Sequence, residues 1–296
     1  MYKKCRIKAP AKINLSLDIT GKRDDGYHLM KTVMQSVSLF DEIEAVATDS
    51  EDIELSTNLG FLPRRDKNIV YKAARLFYEK TGIKTPGLKI SLKKNIPVCA
   101  GLGGGSSDAA GILEGLSLMH RADISRDTLT EWGRTLGADV PFCLQKGTAF
   151  ADGIGDNLKC CAGLPDCDIL IVRPPIPVST SWVFSNLDIR KIKIHPGTDG
   201  LVRAIESGDI DAMARRMYNV LENVTARRYQ VICSIKDQMI TQGAIGAVMS
   251  GSGPSVVGIF EKGRAEAACG EFSGDFEDVF LCSPIDQTEK LIELFE

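Results

Sequence analysis

Gly101-Leu102-Gly103-Gly104-Gly105-Ser106-Ser107-Asp108 is the most informative run in this chain. Before it, Leu88, Ile90 and Leu92 alternate as a strand. After it, Ala109, Ile112, Leu113 and Leu116 fall on one face of a helix. Strand, glycine loop and helix in that order suit an anion. Residues without side chains let backbone N–H groups converge on it, and the helix N-terminus adds partial positive charge. Ser106 and Ser107 can cap the helix or offer hydroxyls to a phosphate or its metal ion. Asp108, in the first turn, suits the dipole or reaches a metal through water. The loop is not of the Walker A type, because no Lys-Ser/Thr pair follows the glycines. Ser106 stands where the dinucleotide fingerprint needs its third glycine. No D-F-G or H-R-D set is present. A glycine cluster alone is equally a flexible turn before a capped helix; the strand-loop-helix context favours phosphate.

Working outward, Ile13, Leu15, Leu17 and Ile19 alternate with Asn14, Ser16 and Asp18, which predicts a strand with one buried face. Lys12 shares the phase of Asn14, so both point to the polar side. A loop, Gly21 to Gly26, leads to Tyr27, His28 and a second strand-like run through Val46. A helix is expected over 68–80, with Asp66 or Asn68 as its cap and Gly82 as its stop. Another is expected after Ser125, carrying Leu129, Trp132 and Leu136 and stopping at Gly137. Beyond residue 155 the pattern predicts a strand over 169–172 and helices near 181–187, 199–207, 210–221 and 228–242. Two apolar strands around Ser250-Gly251-Ser252-Gly253-Pro254 follow, then a helix near 264–272, a strand near 278–282 and a last helix from about 286. Strands and helices are mixed and the hairpins read as antiparallel, giving an α+β chain in two halves with a boundary near 155–165.

At 296 residues, the chain has room for about two domains, each with its own core. Against 36 Lys and Arg stand 39 Asp and Glu, a net charge of −3, so no positive excess is available for nucleic acid or an anionic membrane. The longest uncharged stretch, Gln238 to Phe260, is interrupted by the Ser-Gly-Ser-Gly-Pro turn, which argues against a membrane span. No secretory signal is visible, and the expectation is a cytoplasmic chain. Nine cysteines without C-x-x-C spacing, and three distant histidines, read as reduced thiols rather than a zinc site.

Four further features carry possible chemistry. In Gly137-Ala138-Asp139-Val140-Pro141-Phe142, Asp139 either caps the helix that Pro141 can start or sits partly desolvated as a base. Lys12 is either a solvated edge charge or a cation for the site. Tyr27 and His28 either pack or grip a flat polar ligand. The Ser250–Ser255 turn is either a tight hairpin or a close approach to a ligand.

Taken together and in order, A-P-A-K-I-N-L (9–15), D-G-Y-H (25–28), P-V-C-A-G-L-G-G-G-S-S-D-A-A (97–110), G-A-D-V-P-F (137–142) and S-G-S-G-P-S (250–255) resemble the GHMP kinase superfamily. That family is named for galactokinase, homoserine kinase, mevalonate kinase and phosphomevalonate kinase. The first, second and fourth stretches resemble the branch whose acceptor is a cytidine-diphosphate-linked polyol. The resemblance implies an N-terminal ATP-binding domain (1–160) with a left-handed βαβ crossover and a ferredoxin-like C-terminal domain (161–296), the site lying between them. It implies ATP and Mg²⁺ as cofactors, with Ser107 a possible metal contact and no dedicated metal cage. Pro97, Val98, Cys99, Ala100, Gly101, Leu102, Gly103, Gly104, Gly105, Ser106 and Ser107 would wrap the phosphates, with Asn68 and Lys94 near the adenine. Asp139 would be the general base and Lys12 would favour the ionised forms beside it. Asn14 would hold the acceptor, with Tyr27 and His28 at the cytosine, Phe184 on its other face and Thr180 beside it. The implied partners are these small molecules alone, with the chain a monomer or homodimer. Cys99, Asp24 and Ser255 depart from the family pattern without touching that chemistry. A kinase for another acceptor, such as homoserine, would leave Tyr27, His28 and Phe184 without a ligand. A non-catalytic nucleotide-binding regulator could lose Lys12 or Asp139, and both are present.

Overall fold

A computed structural model describes residues 2–50, 52–84 and 87–296. The first half builds β1 (Lys4–Lys22), β2 (His28–Ala47), β3 (Ile53–Thr57), α1 (Ile69–Thr81), β4 (Leu88–Lys93), α2 (Gly104–His120), α3 (Arg126–Leu136), α4 (Val140–Gln145), β5 (Thr148–Asp152) and β6 (Asn157–Cys160). The second half builds β7 (Cys167–Arg173), α5 (Thr180–Ser185), a 3₁₀ turn (Ile189–Lys191), α6 (Thr198–Glu206), α7 (Ile210–Ala214), β8 (Tyr218–Asn219), α8 (Glu222–Arg228) and α9 (Val231–Thr241). It ends with β9 (Gly246–Met249), β10 (Val256–Glu261), α10 (Glu266–Asp275), β11 (Asp278–Cys282) and β12 (Ile292–Phe295).

Capping residues bound α1 and open α3 where the sequence indicates, whereas α2 starts at Gly104 behind Gly103, with Ser106 and Ser107 inside the helix rather than capping it. The Asn68 side chain accepts from the Val70 N–H at the start of α1, and Gly82 closes that helix with φ +65°. The Ser125 side chain accepts from the Thr128 N–H and opens α3. Two helices depart from expectation. The run expected as one helix over 210–221 stops at Ala214, and Tyr218–Asn219 instead pairs in parallel with Ser16 and Leu17 of β1. The expected last helix from about 286 is β12, lying antiparallel on β1 from Lys4↔Phe295 to Ile7↔Ile292. Burial decides this case: in four residues a strand can rejoin an existing sheet, whereas an isolated four-residue helix is barely a turn.

The first sheet runs β12-β1-β2-β4-β3, with β5 on β2, β6 on β5 and β8 on β1. Parallel β3 and β4 flank α1 and form the βαβ unit. The second sheet is antiparallel in the order β11-β7-β10-β9. Numbered along the chain, its strands stand 4-1-3-2, the ferredoxin-like order. Among the described residues no helix is long and apolar enough to cross a membrane.

The length of β1 and β2 follows from what each third covers. Cys5, Ile7, Ile43 and Ala45 pack under Ala109, Ile112 and Leu116 of α2. Ala11, Ile13, Leu15 and Val33 share a core with Ile169, Ile171 and Val257 of the second sheet. Leu17 and Ile19 join Val183, Val220 and Met249 further out. The two sheets are therefore held by continuous apolar packing along the same pair of strands, and the glycine loop emerges where they meet.

Candidate active site

A cavity of about 590 Å³ opens at that junction. Residues 97–106 of the glycine loop line it with Lys12, Asn14, Asn68, Lys94, Asp139, Thr180 and Phe184. A hollow of about 700 Å³ on the outer part of the first sheet holds the surface pairs Arg6–Glu44 and Lys93–Glu42 and no glycine loop. Chemistry singles out the first.

The loop is clamped by backbone contacts. The Lys12 N–H donates to the Leu102 carbonyl at 2.9 Å, and the Ser250 hydroxyl donates to the Gly101 carbonyl at 2.9 Å. That hydroxyl oxygen also accepts from the Asn14 N–H at 3.1 Å. Gly101 has φ +78°, and a Cβ there would lie 2.2 Å from the Ser250 carbonyl oxygen. Gly103 has φ +67°, and its Cβ would lie 2.7 Å from Lys12 Cγ. Both positions require glycine for conformation and for room. Asn219 holds the bracing turn in place by donating to the Met249 and Gly251 carbonyls, each at 2.7 Å. In the second glycine turn, Gly251 and Ser252 line the cavity and Ser250 locks the first loop.

Beneath the loop lies a buried charge triad. The Lys94 ammonium donates to Asp41 and, at 2.7 Å, to Asp108. Asp41 also accepts from the N–H groups of Asn95 at 2.6 Å and Ile96 at 2.8 Å, turning the chain out of β4. Although burial disfavours its charge, Lys94 is pushed above its ordinary value by the two carboxylates. Burial, with Asp41 adding to it and Lys94 opposing, pushes Asp108 up to about 8. Asp108 is therefore bound to Lys94 through one carboxyl oxygen while also lining the cavity. Lys94 is equally committed: Asn58 also pairs with its N–H and its carbonyl, at 2.8 and 3.1 Å. Asn68 spends its side chain on Val70 and on the Pro63 carbonyl at 2.8 Å. These two residues line the cavity mainly as walls. Asp41 carries no sequence signal beyond an acid within an apolar run.

Lys12 and Asp139 come together from opposite ends of the first half. Lys12 is buried and donates to Asn14 Oδ1 at 2.7 Å. Its ammonium lies 3.5 Å from Asp139 Oδ2. Asp139 stands at the start of α4 yet makes no capping bond, so the reading of it as a helix cap does not hold. Its side chain is 37% exposed toward the cavity, so the apolar neighbours desolvate it less than the sequence suggested. The polar row expected along β1 does not run straight. The β1–β2 register shifts between Asn14 and Ser16, and the cavity-facing positions become Lys12, Asn14 and then Leu17.

Across the cavity, Phe184 on α5 stacks on His28, centroids 5.0 Å apart and planes 30° apart. The touching rings must part to hold a base between them. Burial first, then the Lys22 charge, lowers His28 below its ordinary value, which favours the neutral imidazole. The Thr180 hydroxyl pairs with that of Ser252 at 2.8 Å. Tyr27 is 61% exposed and does not line the cavity, so its place at a ligand is not formed here. Ser107 is a correction: it is buried, facing a small void beside Cys143 and Glu114, and Ser106 is the serine at the cavity. The helical turn sends consecutive side chains about 100° apart, so only one of two adjacent serines can face the ligand side.

Family comparisons agree with this geometry. Residues 68–147 match the model for the GHMP kinases N terminal domain, and residues 201–278 match that for the GHMP kinases C terminal domain. The chain is 47% identical over 267 residues to the 4-diphosphocytidyl-2-C-methyl-D-erythritol kinase of Lachnospira eligens, covering 90% of this chain and 92% of that one. To the protein of that name from Clostridium beijerinckii it is 43% identical, covering 95% and 100%. A crystal structure of 4-(cytidine 5'-diphospho)-2C-methyl-D-erythritol kinase superposes with TM-score 0.81 at 31% identity, covering 94% and 98%. The homoserine kinase from Cytophaga hutchinsonii, at TM-score 0.78 and 20% identity over 100% and 98%, shares the fold. With both halves matched and nearly half the residues identical over most of its length, the chain belongs to the GHMP kinases and, within them, to the 4-diphosphocytidyl-2-C-methyl-D-erythritol kinases.

Proposed function

We propose that this kinase moves the terminal phosphoryl group of ATP to the 2-hydroxyl of 4-diphosphocytidyl-2-C-methyl-D-erythritol, a cytoplasmic step in the methylerythritol phosphate route to isoprenoids. The observation that carries the reading is the meeting of Lys12 and Asp139 at the mouth of a clamped glycine loop, with Phe184 across the same cavity and His28 stacked on it from outside the lining. Residues 1–160 supply the ATP side and residues 161–296 the wall with Thr180 and Phe184, while β8 and β12 tie the halves through β1.

Phosphoryl transfer asks for positioning and charge neutralisation more than covalent chemistry. The N–H groups of the loop and the N-terminus of α2 receive the phosphates. Asp139 takes the proton from the acceptor hydroxyl, a role that typically contributes ~10²–10⁴-fold. Lys12 offsets charge between that carboxylate and the phosphoryl oxygens, and Asn14 holds the lysine in line. His28 and Phe184 part to receive the cytosine on either side. Among the described residues no group of three or more His, Cys, Asp or Glu is gathered to hold a metal. With Asp108 bound to Lys94, the donor set fits an Mg²⁺ held mainly by ATP phosphates and water, with Ser106 at hand. When bound there, the ion neutralises charge on the phosphates.

The test is ADP release with Mg-ATP against 4-diphosphocytidyl-2-C-methyl-D-erythritol, homoserine, mevalonate and galactose. Turnover with the first alone is expected. Turnover with another acceptor and none with the first overturns the substrate, and silence throughout despite ATP binding favours a regulator.

A further inference from the structure

Resting on the phosphoryl-transfer reading above, we propose that Thr32 is a positioning residue for that transfer, setting the orientation of Asn14 and through it the place of the Lys12 ammonium. Thr32 lies on β2, is buried, and lines the cavity beside Asn14. Its hydroxyl donates to the Ser16 carbonyl at 2.6 Å. Its oxygen accepts from Asn14 Nδ2 at 2.8 Å, and Asn14 Oδ1 accepts from Lys12 Nζ at 2.7 Å.

Both ends of this chain fix its direction. A carbonyl only accepts and an ammonium only donates. The single hydroxyl proton of Thr32 is used at Ser16, so its oxygen must face a donor. The Asn14 amide must therefore turn its nitrogen to Thr32 and its oxygen to Lys12. The relay crosses the point where the β1–β2 register slips, between Asn14 and Ser16. There the strand ladder alone does not hold Asn14 and Thr32 opposite each other; Asn14 pairs with Met34, and Thr32 with Leu17. Without the hydroxyl, the amide can flip and present a donor to the ammonium, which then shifts from its 3.5 Å separation from Asp139. Thr32 touches neither Lys12 nor Asp139 in this relay, so its effect passes through Asn14.

Thr32→Val keeps the shape and removes the hydroxyl, and Thr32→Ser keeps the hydroxyl. Expected for Thr32→Val is a fall in kcat of about tenfold with the KM for ATP unchanged, as for loss of one buried hydrogen bond that matters in the transition state. Thr32→Ser restores kcat to within about twofold of wild type. In a Lys12→Ala background, Thr32→Val causes little further loss, because residues acting as a unit are not additive. Thermal unfolding is followed in parallel, and Thr32→Ala replaces Thr32→Val if the latter does not fold. An unchanged kcat in Thr32→Val, a Thr32→Ser as slow as Thr32→Val, or full additivity with Lys12→Ala overturns the relay. Failure of wild type itself to turn over the cytidine-linked acceptor, with ATP still bound, instead overturns the kinase reading on which the relay rests.

Discussion

The two sides of the cavity are built differently. On the phosphate side, Gly101 and Gly103 are pressed against Ser250 and Lys12, and a buried lysine with two carboxylates lies beneath them. On the acceptor side, the wall is a six-residue helix, one ring stack and one hydroxyl pair with Ser252. The proposed phosphate side is over-determined, in keeping with a surface that would receive the same triphosphate each turnover. The proposed acceptor side depends on a few contacts that can part, in keeping with a site that would open for a large ligand and choose among hydroxyl compounds.

Changes on each side should therefore fail in different ways. The largest effect belongs to the chemistry itself. Asp139→Asn should lower kcat by about 10²–10⁴-fold with ATP affinity near normal; steady-state turnover with a parallel ATP titration decides this, and retained turnover removes the base. Next, Lys94→Met leaves Asp41 and Asp108 buried together without their cation. The protein should lose about 3–5 kcal/mol in urea unfolding. An unchanged midpoint would mean that the phosphate side does not stand on the triad.

A smaller effect concerns pH. Because Asp108 is raised from 3.8 to about 8, the folded state keeps a proton that the unfolded chain releases. Asp108 therefore opposes stability increasingly as the pH rises through that window, and no further above it. Asp108→Asn should flatten the fall in Tm between about pH 5 and about pH 8. Tm–pH curves that run parallel for the variant and wild type would remove Asp108 as the cause.

What the sequence showed divides along the same line. Period-two alternation, capping residues and the glycine spacing located β1, α1, α2 and α3, because each follows from local physics. Asn68, Ser125 and Gly82 end helices as side-chain chemistry requires. Lys12 and Asp139 could be joined only through the family resemblance, since 127 positions separate them and local pattern says nothing of the 3.5 Å between them. Asp41, Thr32 and Asn219 were missed because nothing local marks them; their roles arise from partners on other strands. The same applies to β12, whose four residues become a strand only because β1 offers a free edge. Ser107 was misread because two adjacent serines look alike until the turn of α2 sends one inward.

The measurement that tests the division most directly uses Phe184→Ala. Turnover is compared on 4-diphosphocytidyl-2-C-methyl-D-erythritol and on the same polyol phosphate lacking cytidine, with the KM for ATP measured alongside. Stacking of an aromatic ring on a base contributes about 1–3 kcal/mol. The account predicts that wild type prefers the full acceptor, that the variant loses about tenfold or more of that preference, and that its KM for ATP does not move. An intact preference in Phe184→Ala, or a loss shared equally by ATP and acceptor, would contradict it.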